Sequence, residues 1–242
     1  MKTAVVMAAG RGTRMGTLTA ATPKPLLAVG GRALIEHIVR GLAGAGVERV
    51  IIVTGYLGEQ IEAAVGAGAR FGVRIAYCRQ AQAEGTARAL LLAEPYVGRE
   101  PFVLSWGDIL VPAAFYREFV AAFEAMPCDG QLAVNETEDP WRGAAVYVDA
   151  EWRVCRIEEK PPRGTATTGW NNAGLFVLRA PIFDYARRLA PSPRGEYELP
   201  QAVGRMIADG FHVRAVPIRS FWSDVGTPAD LERARQEFVS AI

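Results

Sequence analysis

An apolar strand, Ala4 to Ala8, runs directly into Met-Ala-Ala-Gly-Arg-Gly-Thr-Arg-Met at residues 7–15, and this junction narrows the choice of fold further than any other stretch of the chain. The glycines free the backbone to approach a ligand closely. Successive backbone N–H groups in such a turn form an anion-binding concavity. Arg14 and then Lys24, within Thr22-Pro23-Lys24-Pro25-Leu26-Leu27, follow it. Together these are equipment for holding a triphosphate at the end of a strand.

Downstream, apolar strands alternate with amphipathic helices, the pattern of a mainly parallel sheet covered on both faces. Leu34, Ile35, Ile38, Val39 and Leu42 mark one face of a helix that Gly44 or Gly46 can terminate. The spacing predicts a strand over 49–54, a helix over 59–65, a strand over 73–79, a helix over 86–92 and a buried strand over 101–105, a doubly wound first half. In the second half, residues 143–148 and 152–157 alternate apolar and polar around Asp149-Ala150-Glu151, which reads as a hairpin. A strand over 172–178, helices over 181–189 and 199–209, a strand over 212–218 and a closing helix from Pro228 complete the reading. Residues 1–242 are expected to form one domain, with a nucleotide-binding half over about 1–110 and a substrate-binding half over about 111–242.

Charge excludes several classes of partner. With 27 basic and 26 acidic residues there is no field to attract nucleic acid and no polybasic segment for a membrane, so acidic ligands must be held by local charges. Only Lys2, Lys24 and Lys160 among the basic residues are lysines. A compact ammonium and a planar guanidinium are not equivalent at a phosphate, so two lysines in short polar motifs stand out in an arginine-rich chain. Cys78, Cys128 and Cys155 are widely spaced and odd in number, without zinc or redox spacing, as expected of a reduced, cytoplasmic protein. No apolar run is long enough to span a bilayer.

Two common phosphate loops fail on glycine spacing. Gly10-Arg11-Gly12 begins like a dinucleotide fingerprint, but Gly16 comes one place too late and the strand ending at Val53-Thr54-Gly55 lacks the ribose-binding acid. A Walker loop needs its second glycine followed by Lys and Ser or Thr, whereas Gly16 precedes Thr17-Leu18.

The loop resembles that of the sugar-1-phosphate nucleotidylyltransferase family, whose first strand enters a Gly-x-Gly-Thr-Arg loop followed by Pro-Lys-Pro-Leu. The resemblance continues in order through Gln80, Glu84-Gly85-Thr86-Ala87, Gly107-Asp108, Gly143, Glu159-Lys160-Pro161, Asn172-Ala173-Gly174 and Trp222-Ser223-Asp224-Val225-Gly226-Thr227-Pro228. It implies an α/β fold: a Rossmann-like, doubly wound mixed sheet flanked by helices, of the nucleotide-diphospho-sugar transferase type, with a small β-rich sugar-binding part. It also implies the site. The loop backbone of Ala8, Ala9, Gly10, Gly12 and Thr13 lines the nucleotide, and Arg14 and Lys24 contact its phosphates as catalytic residues. Gln80, Gly85 and Thr86 surround the base, Asp108 and Asp224 hold Mg2+, and Gly143, Glu159, Lys160 and Asn172 receive the sugar phosphate.

Elementary chemistry agrees with that assignment. Magnesium binds through one or two carboxylates and substrate phosphates, so two aspartates suffice. Each aspartate also has a plainer reading as a helix cap or turn residue, Arg14 as a surface arginine and Lys160 as a solvated loop charge. His37 and His212 have no motif around them and read as scaffold residues. A sugar 1-phosphate is already an anion near neutral pH, since a phosphate monoester's second pKa lies at about 6. Its attack on the α-phosphorus of a nucleoside triphosphate therefore needs no general base.

An amide side chain at Gln80 beside a backbone turn suits the imide edge of uracil or thymine, favouring dTTP or UTP over GTP. Glucose 1-phosphate is the default acceptor, and mannose, acetylglucosamine and heptose phosphates remain open. Three other readings stand beside this one: a GTP-dependent guanylyltransferase, a cytidylyltransferase for a phosphocholine-like substrate, and a silent nucleotide-sugar sensor. Trp106 is expected either to narrow the nucleotide pocket or to pack beneath the loop. The chain is expected to lack the carboxy-terminal acyltransferase or extra helical region of some relatives, and homo-oligomerisation is left open.

Overall fold

Val50, Ile51, Ile52 and Val53 lose essentially all their surface, which an isolated strand achieves only with hydrogen-bonded neighbours on both edges and helices on both faces. The computed structural model describes residues 1–238 and shows that arrangement. The chain runs through β1 (Thr3–Ala8), a small ladder of β2 (Ala28–Val29) with β3 (Arg32–Ala33), then α1 (Leu34–Gly44), β4 (Arg49–Thr54), α2 (Gly58–Val65), β5 (Arg74–Arg79), α3 (Thr86–Val97) and β6 (Phe102–Trp106). It continues through β7 (Ile109–Leu110), α4 (Ala113–Ala125), β8 (Gly130–Glu136), the hairpin β9 (Ala144–Val148) and β10 (Val154–Glu159), and β11 (Trp170–Leu178). The chain closes with α5 (Pro181–Arg187), α6 (Leu199–Ala208), β12 (Val213–Pro217), β13 (Ser223–Asp224) and α7 (Pro228–Glu237).

One nine-stranded sheet runs through the molecule in the order β10-β9-β11-β6-β1-β4-β5, with β8 beside β11 and β12 beside β8. Strands β6, β1, β4 and β5 are mutually parallel, whereas β11 meets β6, β8 and β9 antiparallel, so the sheet is mixed. One face is covered by α3, α5 and α6 through Leu90, Phe183, Leu199 and Met206, the other by α1, α2 and α4 through Ile35, Ile38, Ile61 and Phe119. The α1–α4 crossing is close because Gly41 has no side chain; a Cβ there would collide with the Tyr116 ring. A third cluster of Met15, Leu27, Val225, Leu231 and Phe238 fixes the first loop against α7. No helix among the described residues is long and apolar enough to cross a membrane.

The periodicity reading missed α4 and β8 altogether. Helix α4 carries Phe115, Tyr116, Phe119, Val120 and Phe123, whose aromatic character imitates a strand. Strand β8 is almost wholly covered and so shows no alternation. Helix α3 also runs on to Val97 past Pro95, beyond the expected end at residue 92. A proline in the last turn removes only one helical hydrogen bond, which the packing of Ala93 and Val97 offsets.

Candidate active site

Strand β1 ends at Ala8 in the middle of the sheet, and Ala9 and Gly10 carry the chain out over the carboxyl edge of the parallel strands, where ligands bind in open α/β sheets. Glycine is needed at Gly12 rather than Gly10: Gly12 lies in the left-handed region at φ 64°, and Gly10 does not. A Cβ on Gly12 would stand 3.2 Å from the Lys24 Cβ and from the Thr19 Cγ2. The Thr19 hydroxyl donates to the Gly12 carbonyl at 3.0 Å, so the loop is folded down onto the Lys24 stem. Thr13 opens the following 3-10 turn and Arg14 projects from it into solvent.

Strand β6 delivers the next group. The Gly107 N–H donates to the Met7 carbonyl at 2.9 Å, and a Cβ on Gly107 would meet that oxygen at 2.8 Å, so Asp108 is drawn against the first loop. Asp224 reaches the same place from the other end of the chain. It lies within β13, opposite Ile109 of β7, and the Val225 N–H donates to the Asp108 carbonyl at 3.0 Å. Asp224 is therefore not a helix cap. That task falls to Thr227, whose hydroxyl accepts from the Asp230 N–H while the Asp230 carboxylate accepts from the Thr227 N–H.

Lys24 joins the two carboxylates. Its side chain is only 8% exposed, and its Nζ donates to the Asp108 Oδ2 at 2.6 Å and stands 3.6 Å from the Asp224 Oδ1. Burial alone would push the ammonium pKa down; the charges of Asp108 and Asp224 outweigh burial and raise it, keeping Lys24 a cation. The Asp224 side chain is 38% exposed, yet its Oδ1 is sealed from solvent and has no hydrogen-bond partner. Burial first, then the Asp108 charge, push its carboxyl up to about 6 against the pull of Lys24 and Arg14. Gly226 keeps the space between them clear: a Cβ there would lie 3.4 Å from the Arg14 Nη1 and 3.5 Å from both Asp224 oxygens.

Gln80, just past β5, donates through Nε2 to the Gly85 carbonyl at 3.2 Å. The turn after it is interlaced with the segment before α6. The Tyr197 N–H donates to the Glu84 carbonyl and the Ala87 N–H to the Tyr197 carbonyl, both at 2.8 Å. The Thr86 hydroxyl accepts from the Leu199 N–H at 2.8 Å, so Thr86 ties α3 to α6.

The β9–β10 hairpin and β11 supply the remaining groups. The Lys160 N–H donates to the Gly143 carbonyl at 2.9 Å, with Lys160 itself in the left-handed region at φ 46°. Glu159 is 12% exposed and lies 3.4 Å from Arg194; burial raises its carboxyl pKa although Lys160 and Arg194 oppose the change. Asn172 is buried in β11, its Oδ1 accepting from the Gly174 N–H at 3.0 Å and its Nδ2 without a partner. Trp106 packs across Gly174, whose Cβ would come within 2.6 Å of the indole, and Trp222 donates from Nε1 to the Ala173 carbonyl at 3.0 Å. His37 is held by the Val29 carbonyl at 3.0 Å on the far side of α1, in keeping with a scaffold role.

Comparison with known proteins decides the family. The Nucleotidyl transferase family matches residues 3–240. The chain belongs to the nucleotidyl transferase family. Its relatives include the low-salt glycan biosynthesis nucleotidyltransferase Agl11 of Haloferax volcanii, 30% identical over 96% of this chain and 64% of that one. A glucose-1-phosphate thymidylyltransferase of Streptomyces antibioticus is 29% identical over 94% and 64%, and the bifunctional protein GlmU of Methanococcus maripaludis 27% identical over 99% and 55%. The chain thus spans less than two thirds of the length of these relatives. Among solved structures, a Bacillus anthracis protein provisionally named a glucose-1-phosphate thymidylyltransferase, in complex with a sucrose, superposes with a TM-score of 0.87 at 28% identity, covering 97% of this chain and 94% of that one. A UDP-glucose pyrophosphorylase complexed with UDP-glucose shares the fold, with a TM-score of 0.86 at 22% identity over 99% of each chain.

Two residues beside these groups escaped the sequence reading. Arg194 lies beside both Glu159 and the buried Glu198, with which it makes an ion pair. The signal was present in Arg194-Gly195-Glu196-Tyr197-Glu198-Leu199, where acidic side chains interrupt an apolar helix start. Among the described residues no group of three or more His, Cys, Asp and Glu gathers as a metal cluster. The pair Asp108 and Asp224 still suits magnesium, which prefers oxygen ligands and takes one or two carboxylates with phosphate. The bare Oδ1 of Asp224, already faced by a cation, is the feature such an ion would satisfy.

Proposed function

We propose that this chain transfers a nucleotidyl group from a nucleoside triphosphate to a sugar 1-phosphate and releases pyrophosphate. The observation that carries this reading is the convergence of Lys24, Asp108 and Asp224, with Arg14 beside them, at the end of β1. A phosphate oxygen of the sugar 1-phosphate attacks the α-phosphorus, the bond to the bridging oxygen of pyrophosphate breaks, and that oxygen leaves as an anion. No proton has to move.

Each side chain has a definable task. Arg14, exposed and able to grip two oxygens at once, stabilises the departing pyrophosphate, and Lys24 neutralises the triphosphate from beneath the loop. Glu159 accepts from sugar hydroxyls, Lys160 pairs with the sugar's phosphate and the Asn172 Nδ2 donates to the sugar. Asp108 and Asp224 would hold magnesium, which supplies charge neutralisation on the phosphates when bound. The charge of Arg14 acts on Lys24, Asp224 and Lys160 alike, which supports one cleft for both substrates.

For the base, dTTP or UTP fits a Gln80 amide fixed against the Gly85 carbonyl, and glucose 1-phosphate is the default acceptor; a thymidylyltransferase among the relatives agrees. The deciding assay is pyrophosphate release with Mg2+ across the common nucleoside triphosphates, each offered a panel of sugar 1-phosphates and phosphocholine. Release confined to one triphosphate and one sugar phosphate is expected. Absence of release from folded protein that binds a nucleotide-sugar overturns the reading in favour of a sensor.

A further inference from the structure

Lys24 is attached rigidly and charged at its free end. Pro23 and Pro25 flank it, its backbone opens a 3-10 turn, and Gly12 presses on its stem. Its ammonium nevertheless sits on a four-carbon chain and swings without moving that backbone. In the ligand-free protein it rests against Asp108 at 2.6 Å and faces Asp224 at 3.6 Å, the two oxygens that a divalent cation would take. A buried ammonium is tolerated only when paired, and two close carboxylates only when a cation stands between them.

From this geometry we infer that Lys24 is the resident counter-cation of the Asp108–Asp224 pair, and that a divalent metal and the Lys24 ammonium occupy that pair in turn. The inference rests on the proposed reading of the two aspartates as metal ligands. A magnesium ion bonds carboxylate oxygens at about 2.0–2.1 Å, so an ammonium held on the same oxygen would stand in strong repulsion with it. A triphosphate offers Lys24 other anionic partners. Nucleotide binding therefore vacates the carboxylates, and metal entry is coupled to nucleotide entry, so the free enzyme holds metal poorly by construction. This order protects against a metal-loaded but empty site.

The test is Mn2+ binding without nucleotide, followed by the loss of the free-ion signal in electron paramagnetic resonance. Wild type is expected to bind weakly, Lys24→Met at least tenfold more tightly, and Asp224→Asn not at all. Lys24→Met binding no more tightly than wild type overturns the inference. If Asp224→Asn lowers wild-type affinity in the same experiment, the aspartate reading survives that failure. If no variant binds Mn2+, both fall.

A second measurement needs no variant. The chain has three lysines, so lysine-15N-labelled protein gives at most three side-chain ammonium resonances. Saturating Mg2+ alone is expected to shift the Lys24 resonance and speed its hydrogen exchange, while an unmoved Lys24 signal at saturation refutes displacement.

Discussion

Gly85→Ala probes the joint between the turn after Gln80 and the segment before α6. Gly85 has φ 103°, ψ 174°, a backbone region open essentially to glycine, and a Cβ there would lie 2.6 Å from the Tyr197 carbonyl oxygen and 2.7 Å from its nitrogen. Both contacts are backbone, so no rotamer change relieves them. Backbone strain of this kind costs about 1–3 kcal/mol. Overpacking adds about 1–3 kcal/mol. For a chain of this size each kcal/mol lowers Tm by about 2–4 °C, so a central loss of about 4 kcal/mol predicts a fall of about 8–16 °C. Thermal unfolding followed by circular dichroism measures it. The matched control is Gly98→Ala at φ 75°, ψ −145°, equally unfavourable to a side chain but with nothing within 4 Å; strain alone predicts about 1–3 kcal/mol there, without the overpacking cost. If Gly85→Ala and Gly98→Ala lose equally little, and KM for nucleotide is unchanged in both, the turn is not pinned by Tyr197 and the reasoning is wrong.

Arg14→Ala is expected to lower kcat about a hundredfold with the fold intact, as for removal of a transition-state donor; near-normal turnover of the purified variant refutes that role. Lys160→Ala is expected to raise KM for the sugar phosphate by about tenfold, the value of one charged hydrogen bond, with KM for nucleotide unchanged, as steady-state kinetics varying each substrate would show. For Asp224 the sign follows from a raised pKa: the folded state holds the proton more tightly than the unfolded chain. Its stability contribution is complete below the ordinary value of 3.8 and lost as pH rises through about 6. In metal-free protein Asp224→Asn is therefore expected to gain Tm over wild type at pH 8 and to lose that advantage progressively as pH falls from about 6 to 3.8. A difference that does not vary with pH contradicts the shift.

The longer strands and helices from β1 to β6 were legible because their apolar spacing is regular and glycines mark their ends. Strand β8 and helix α4 were not: one is covered on both sides and the other carries aromatic residues that blur the helical period. At the candidate site, the short motifs singled out Lys24, Asp108 and Asp224, which the fold brings together, but no periodicity links Asp224 to Asp108. Their meeting depends on a two-residue ladder, Ser223 with Leu110 and Asp224 with Ile109, too short to leave a pattern. Arg194 was only half legible: its i,i+4 partner Glu198 stands in the same short acidic segment, whereas Glu159 is 35 positions away and no pattern links the two.

That ladder also sets when Asp108 and Asp224 can meet during synthesis. The first loop, Lys24 and Asp108 emerge early and can assemble with β1, β4 and β6 as soon as those strands exist, whereas Asp224 joins only when β13 follows. A ribosome-bound chain stalled before β13 has one ammonium, Lys24, opposite one carboxylate, Asp108. The second negative charge arrives only with β13. Until then the cluster is balanced one to one, and only afterwards do two carboxylates face a single ammonium.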